Sequence, residues 1–284
     1  MRQGNFKGVI VILILSTSTG STTLTTGSLS VNFVEGEGSL GLFMKVNILG
    51  VNIDDVSENK AIDIVKSWLK DKTKRYIVTP NPEFLMLAQK DSEFKRVLNQ
   101  ADLAIPDGVG LKMSGKIKNT TPGVDLMEKL ISKSEDWGAT IGFLGGKKGV
   151  AEKLAECLLA KYPSLKITFA SDGGIINKDG NMVGQVDSSK YPATDLLFVA
   201  FGQGKQEKWI ARNLPKIPVK VAMGVGGSFD YLSGNITRAP KVLRKLGLEW
   251  LFRLITQPWR ASRQLVLIQF VLLLWWKRII SMVH

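Results

Sequence analysis

The residue best placed to do chemistry in this chain is a carboxylate at the end of a short apolar run. In Gln100-Ala-Asp-Leu-Ala-Ile-Pro-Asp-Gly-Val-Gly-Leu111, Pro106 removes a backbone donor and Gly108 permits angles that other residues avoid, so the pair ends a strand and holds Asp107 at its carboxyl end. In an open α/β sheet that edge is where ligands bind. A carboxylate there can serve as a general base, while the plainer reading is the ordinary Asp of a Pro-Asp-Gly turn. The only histidine is the last residue, His284, and the only cysteine is Cys157. A Ser-His-Asp triad, a histidine base and an intramolecular disulfide are therefore excluded, and a reducing compartment fits. Catalysis falls to carboxylates, hydroxyls, amides and cations.

Regular elements start at Met44. Val46 to Val51 reads as a strand, and Ser57 to Lys70 as a helix with Ile62, Ile64, Val65, Trp68 and Leu69 on its apolar face. Tyr76 to Thr79 reads as a strand running into Thr-Pro-Asn-Pro, where Asn81 suits the cap of a helix that starts with Pro82. Thr79 and Asn81 thus belong to a strand end and a helix start together, with Asn81 either a cap alone or a functional group as well. A helix follows Gly123; Ala139 to Leu144 is a strand, and Val150 to Lys161 a helix. Leu165 to Ala170, Asp195 to Phe201 and Val219 to Met223 are further strands.

Three strands lead into glycine-rich loops: Gly145-Gly146-Lys147-Lys148-Gly149, Gly202-Gln203-Gly204-Lys205-Gln206-Glu207, and Gly224-Val225-Gly226-Gly227-Ser228-Phe229-Asp230. Such loops offer amides to a phosphate. None carries the dinucleotide fingerprint or the Walker spacing, which disfavours a dinucleotide oxidoreductase. Strand and helix alternating in this way predict an α/β, Rossmann-like fold: a mainly parallel sheet with helices on both faces and the loops gathered on one edge.

Charge divides the chain. The formal net charge is +13, and residues 236–284 hold nine Lys or Arg against one acid. This segment is basic and amphipathic, with a twelve-residue apolar run from Leu265 to Trp276 and four of the seven tryptophans beyond residue 249. Twelve residues fall short of the roughly 20 that span a bilayer. Cations and Trp beside apolar faces suit a helix lying at a membrane surface, better than a nucleic-acid surface or a helix packed on the sheet. Off the membrane, the same face could bury itself in a homo-oligomer. Residues 1–43 look like a weak signal peptide with a short apolar run and no clear cleavage site; the preferred reading is a disordered extension or a start-site artefact. The expected domains are thus 1–43, an α/β core over 44–235, and a C-terminal helical, membrane-binding appendage over 236–284.

The ordered set Thr79-Pro-Asn81-Pro, Pro106-Asp107-Gly108, Gly123-Val-Asp125, Phe143-Leu-Gly-Gly146, Phe201-Gly-Gln-Gly-Lys-Gln206-Glu207-Lys-Trp209, Gly224-Val-Gly-Gly227-Ser-Phe-Asp230, Arg238-Ala-Pro240 and Leu248-Glu-Trp-Leu-Phe-Arg253 resembles the WecG/TagA/CpsF glycosyltransferases, and within them most closely the TagA branch. The family commonly carries a proline in the loop that reads Gly202-Gln-Gly204 here. The resemblance implies an inverting enzyme without a metal or other cofactor, peripheral on the cytoplasmic face of the membrane. It implies transfer of N-acetylmannosamine from UDP-ManNAc to undecaprenyl-diphosphate-linked GlcNAc, forming the β-1,4-linked lipid of the wall teichoic acid linkage unit.

Carried over, Asp107 is the base, with Thr79 and Asn81 beside it. Gly145, Gly146, Phe201, Gly202, Gln206, Glu207, Gly226 and Asp230 face the nucleotide sugar; Arg238, Arg244, Arg253, Arg260 and Arg263 face the lipid diphosphate and membrane. The chain has no Asp-x-Asp pair for holding a divalent metal, which agrees with cations supplied by side chains. Alternatives are the same scaffold with UDP-ManNAc uronate, UDP-glucose or UDP-galactose, and a nucleotide- or lipid-binding module without catalysis.

Overall fold

A computed structural model describes residues 16–18, 21–26, 29–34, 41–182, 191–257 and 261–283. Its centre is a six-stranded sheet of β6 (Arg75–Val78), β7 (Leu103–Ala104), β8 (Thr140–Gly145), β9 (Lys166–Ser171), β10 (Thr194–Ala200) and β11 (Val219–Gly224). All neighbours pair in parallel, in the order β7-β6-β11-β10-β8-β9. Along β10, Leu197 and Val199 point into one core while Leu196, Phe198 and Ala200 point into the other, the period-two alternation of a strand buried on both faces.

The first core receives α2 (Pro82–Lys90), α3 (Ser92–Asn99) and α6 (Lys205–Asn213), with Phe84, Leu85, Phe94, Leu98, Trp209 and Ile210 buried. The second receives α1 (Glu58–Trp68), α4 (Gly123–Trp137) and α5 (Val150–Lys161) through Ile64, Val65, Leu126, Leu130, Ala151 and Leu154. The connection after β8 therefore goes to one face and the connection after β10 to the other. In doubly wound sheets such a switch of connection marks the edge where ligands bind. The expected α/β, mainly parallel architecture is present.

Two stretches depart from the sequence reading. Val46 to Val51 is not one strand: β4 (Gly41–Ile48) and β5 (Val51–Asp55) form a hairpin around Leu49 and Gly50, both with positive φ (54° and 80°). Asn47 Oδ1 accepts from the Gly50 amide at 3.0 Å and closes the turn. Upstream, where an unstructured extension was expected, β1 (Ser16–Ser18), β2 (Ser21–Thr26) and β3 (Leu29–Val34) continue the antiparallel ladder onto β4. Their Thr, Val and Ser content suits strands, and a free β4 edge gives them a template.

Beyond β11 come α7 (Ser228–Leu232), α8 (Lys241–Lys245), α9 (Glu249–Thr256) and α10 (Ala261–Val283). The last helix runs well past the twelve-residue apolar run and lies on α2, with Phe270 fully buried in the first core. Among the described residues, no helix is long and apolar enough to cross a membrane.

Candidate active site

The carboxyl edge of the sheet is assembled from backbone outward. Ile105 N donates to Val78 O at 2.9 Å and Asp107 N to Pro80 O at 2.8 Å, so the chain after β7 runs alongside Thr79-Pro80. Thr121 N donates to Pro106 O at 2.9 Å and leads into α4. Gly108 follows with φ 82° and open space where a side chain would stand. The turn therefore fixes the backbone of Asp107 on both sides and leaves its carboxylate at the edge.

The amide of Gly123 at the start of α4 lies close enough to favour the ionised form of that carboxylate. Burial pushes its pKa up to about 6, against the lowering effect of the Arg253 guanidinium and the Gly123 amide; Glu249 and Asp125 push it further up. Such a group is ionised at neutral pH yet basic enough to take a proton, as a general base requires.

Thr79 is buried, and α4 begins directly against it: a Cβ at Gly123 would lie 3.2 Å from Thr79 Oγ1. Asn81 caps α2, its Oδ1 accepting from Phe84 N at 3.0 Å. Thr79, Asn81 and Asp107 thus share one corner of the sheet edge, between β6, the chain after β7, and the N-terminus of α4.

The glycine loops divide by function. Gly145 (φ 104°) is there for packing, since a Cβ would stand 2.8 Å from the Ala200 backbone, and Gly146 N donates to Ala200 O at 3.0 Å. Gly202 and Gly226 have positive φ and nothing within 4 Å of a built Cβ, so they border open space. Phe201 packs edge-on against Trp209, ring centroids 5.5 Å apart.

Gln206 and Glu207 are buried and form a clamp between two of the loops. Glu207 Oε2 accepts from Gly204 N at 2.7 Å, its Oε1 accepts from Gln206 Nε2 at 2.6 Å, and Gln206 Oε1 accepts from Gly226 N at 3.0 Å. Burial raises the Glu207 pKa to about 7 despite these donors. Both Glu207 oxygens are committed to the protein, so any influence on a nucleotide sugar passes through the loops it holds. Asp230 lies in the first turn of α7, its carbonyl accepting from Ile236 N at 3.0 Å and turning the chain toward its C-terminal segment.

Three of the five arginines singled out in the sequence converge on this edge. Arg238 makes a two-pronged pair with Asp125, with Nη2 to Oδ2 at 2.9 Å, and reaches Glu249 at 3.6 Å. Arg244 Nη1 lies 3.4 Å from Asp125 Oδ1. Arg253 pairs with Glu249 and stacks 5.0 Å from the Tyr231 ring centroid. Arg260 and the side chain of Arg263 lie outside the described residues.

Sequence reasoning gave no role to Asp125, Glu249 or Tyr231. The first two stand in the quoted motifs Gly123-Val-Asp125 and Leu248-Glu-Trp, which was the available signal. The buried Nε atoms of Arg238 and Arg253 and the buried Tyr231 hydroxyl have no hydrogen-bond partner within the described protein.

Sequence comparison places this geometry among known proteins. The family described as "Glycosyl transferase WecG/TagA/CpsF family" matches residues 46–283. The chain is 34% identical over 212 residues to the N-acetylglucosaminyldiphosphoundecaprenol N-acetyl-beta-D-mannosaminyltransferase of Bacillus subtilis (strain 168), covering 73% of this chain and 81% of that one. It is 32% identical over 227 residues to the protein of the same name from Staphylococcus aureus (strain MRSA252), covering 77% and 87%.

Proposed function

The chain belongs to the WecG/TagA/CpsF family of glycosyltransferases, and from that premise we propose that it transfers N-acetylmannosamine from UDP-ManNAc to undecaprenyl-diphosphate-linked GlcNAc with inversion, at the inner face of the cell membrane, for the wall teichoic acid linkage unit. The names of its relatives support the acceptor and the sugar moved. The observation that carries the chemistry is the placement of Asp107 at the carboxyl edge of the sheet, its amide donating to Pro80 O at 2.8 Å and the preceding carbonyl of Pro106 accepting from Thr121 N at 2.9 Å.

In this reading the Asp107 carboxylate takes the proton of the acceptor hydroxyl as its oxygen attacks the anomeric carbon from the face opposite UDP. The bond from that carbon to the diphosphate oxygen breaks, and UDP departs with the electron pair. Arg253, Arg238 and the open loop at Gly202 meet the charge that builds on the leaving group. Thr79 and the Asn81 side-chain amide position the reacting sugars, and the Gln206–Glu207 clamp keeps two loops in register around the nucleotide. Cations come from side chains, so UDP release is expected to persist in excess chelator.

Approach to a lipid-linked acceptor falls to the C-terminal helices. Leu265, Ile268, Leu272, Trp275 and Trp276 form an exposed apolar stripe on α10, and Trp250 and Ile255 are exposed on α9, the composition of a helix seated in headgroups.

A donor panel with a short-chain lipid-diphosphate GlcNAc acceptor tests the reading. UDP-ManNAc should give UDP and a β-linked disaccharide lipid, detected by the anomeric coupling of the product. Preference for another UDP-sugar would reassign the donor, and turnover of none would leave a binding module.

A further inference from the structure

We infer that Asp125 is the core-side anchor that seats the C-terminal arginines over Asp107, and so is a positioning residue for transfer. The proposal deepens the glycosyltransferase reading and rests on it for its kinetic consequence, but not for its structural one.

Asp125 sits in the first turn of α4, whose starting glycine is held against Thr79, and just before it Thr121 N donates to the carbonyl of Pro106, the residue preceding Asp107, at 2.9 Å. The anchor and the base therefore hang on the same rigid helix start. Asp125 takes both prongs of the Arg238 guanidinium, one on each oxygen, and lies 3.4 Å from Arg244. From Arg238 the contacts pass to Glu249 at 3.6 Å, from Glu249 to Arg253, and from Arg253 to the field at Asp107. These contacts join Asp125 of the core to residues 238–253, and Arg253 acts on Asp107 through its charge.

Bidentate Arg–carboxylate geometry fixes orientation as well as distance. Arg238 is largely buried, its side chain 14% exposed, so the pair is shielded from the solvent screening that makes exposed ion pairs weak. Residues 238–256 have other contacts with the core: Ala239 is buried, a Cβ on Gly247 would meet Val109 Cγ1 at 3.2 Å, and Arg253 stacks on Tyr231. Val242, Leu246, Trp250 and Ile255 are exposed, and among the described residues of α9 none is buried. The ion pairs to Asp125 are the charged contact through which this segment registers on the core. Arg253, Glu249 and Asp125, together with the Gly123 amide, set the charge around Asp107, so loosening the anchor changes it.

The experiment uses the full-length protein and the isosteric variant Asp125→Asn, with Asp125→Glu as the conservative control and Arg238→Gln as the reciprocal partner. Hydrogen exchange of the ligand-free protein should show protection across residues 238–256 falling about tenfold or more, the scale of losing a hydrogen-bonded charge pair, with α4 and the sheet unchanged. In turnover, kcat should fall while KM for the UDP-sugar changes less. Asp125→Glu should recover part of both, and Asp125→Asn combined with Arg238→Gln should lose no more than the worse single variant.

Unchanged protection in Asp125→Asn would overturn the anchor, as would losses that multiply in the double variant. Were Asp125→Asn to unfold globally, Arg238→Gln carries the same exchange measurement from the other side of the pair. Exchange is read without substrate. A normal exchange result with no sugar turned over by the parent protein would sink the proposed reaction and leave the anchor standing.

Discussion

A base that works near neutral pH must lose its proton there and still want one back, and the environment of Asp107 meets both demands. Its carboxyl is held at about 6, so kcat should show an acidic limb near pH 6 in UDP-release assays. Asp107→Asn, which keeps the shape and removes the basicity, should cost about 10² to 10⁴ in kcat with little change in the unfolding midpoint. Glu207 gives a second titration with a different readout. Its folded-state pKa is about 7 against an ordinary 4.5, so the folded protein holds the proton longer than the unfolded chain. Stability from this group is therefore present at low pH and lost as pH rises from about 4.5 through about 7. A thermal-melt series should show that decline, and Glu207→Gln should flatten part of it. Asp107 was legible from its Pro-Asp-Gly setting and the absence of a competing histidine. The inward turn of Glu207 was not, because spacing along a helix start does not say whether a motif carboxylate meets a ligand or the amide of Gly204.

Among the elements, the strands were legible because β6, β8, β10 and β11 are short apolar runs ended by Thr-Pro or glycine, and a parallel sheet needs such runs buried on both sides. The β4–β5 hairpin was hidden, since Leu49-Gly50 is not one of the favoured two-residue turn pairs and the flanking residues read as a single apolar stretch. α3 was passed over because only eight residues separate its cap, Asp91, from Gln100. The glycine loops looked alike in sequence, yet their reasons differ. Gly145→Ala would press a methyl into the Ala200 backbone at a positive φ, and should destabilise by about 1–3 kcal/mol in denaturant titration. Gly202 has the same backbone strain but open space beside it. Gly202→Ala should therefore show a larger fraction of its effect in the KM of the UDP-sugar than Gly145→Ala does.

For the whole molecule, the question is whether the C-terminal helices belong to the body or stand apart from it. α10 has two apolar faces. Phe270 is fully buried and Leu267, Val271 and Leu274 pack beside it, while Leu272, Trp275 and Trp276 face outward. Phe270→Ala should lower stability by about 3–5 kcal/mol, whereas Leu272→Glu with Trp275→Glu should leave the melt unchanged and abolish sedimentation with anionic vesicles. Cutting the chain after Asn235 would mix these two effects, so the paired substitutions are the cleaner measurement. Hydropathy alone showed the amphipathic character of this segment but not which face the core takes, because both faces are apolar. The turn after Asp107 is gripped from the same helix: a Cβ on Gly110 would meet Pro82 Cγ at 2.7 Å and Leu267 Cδ1 at 3.2 Å. Helix, turn and base are consequently one ruler with its zero mark at the outward stripe. On the proposed membrane role, the height of the base above the lipid is a constant of the fold.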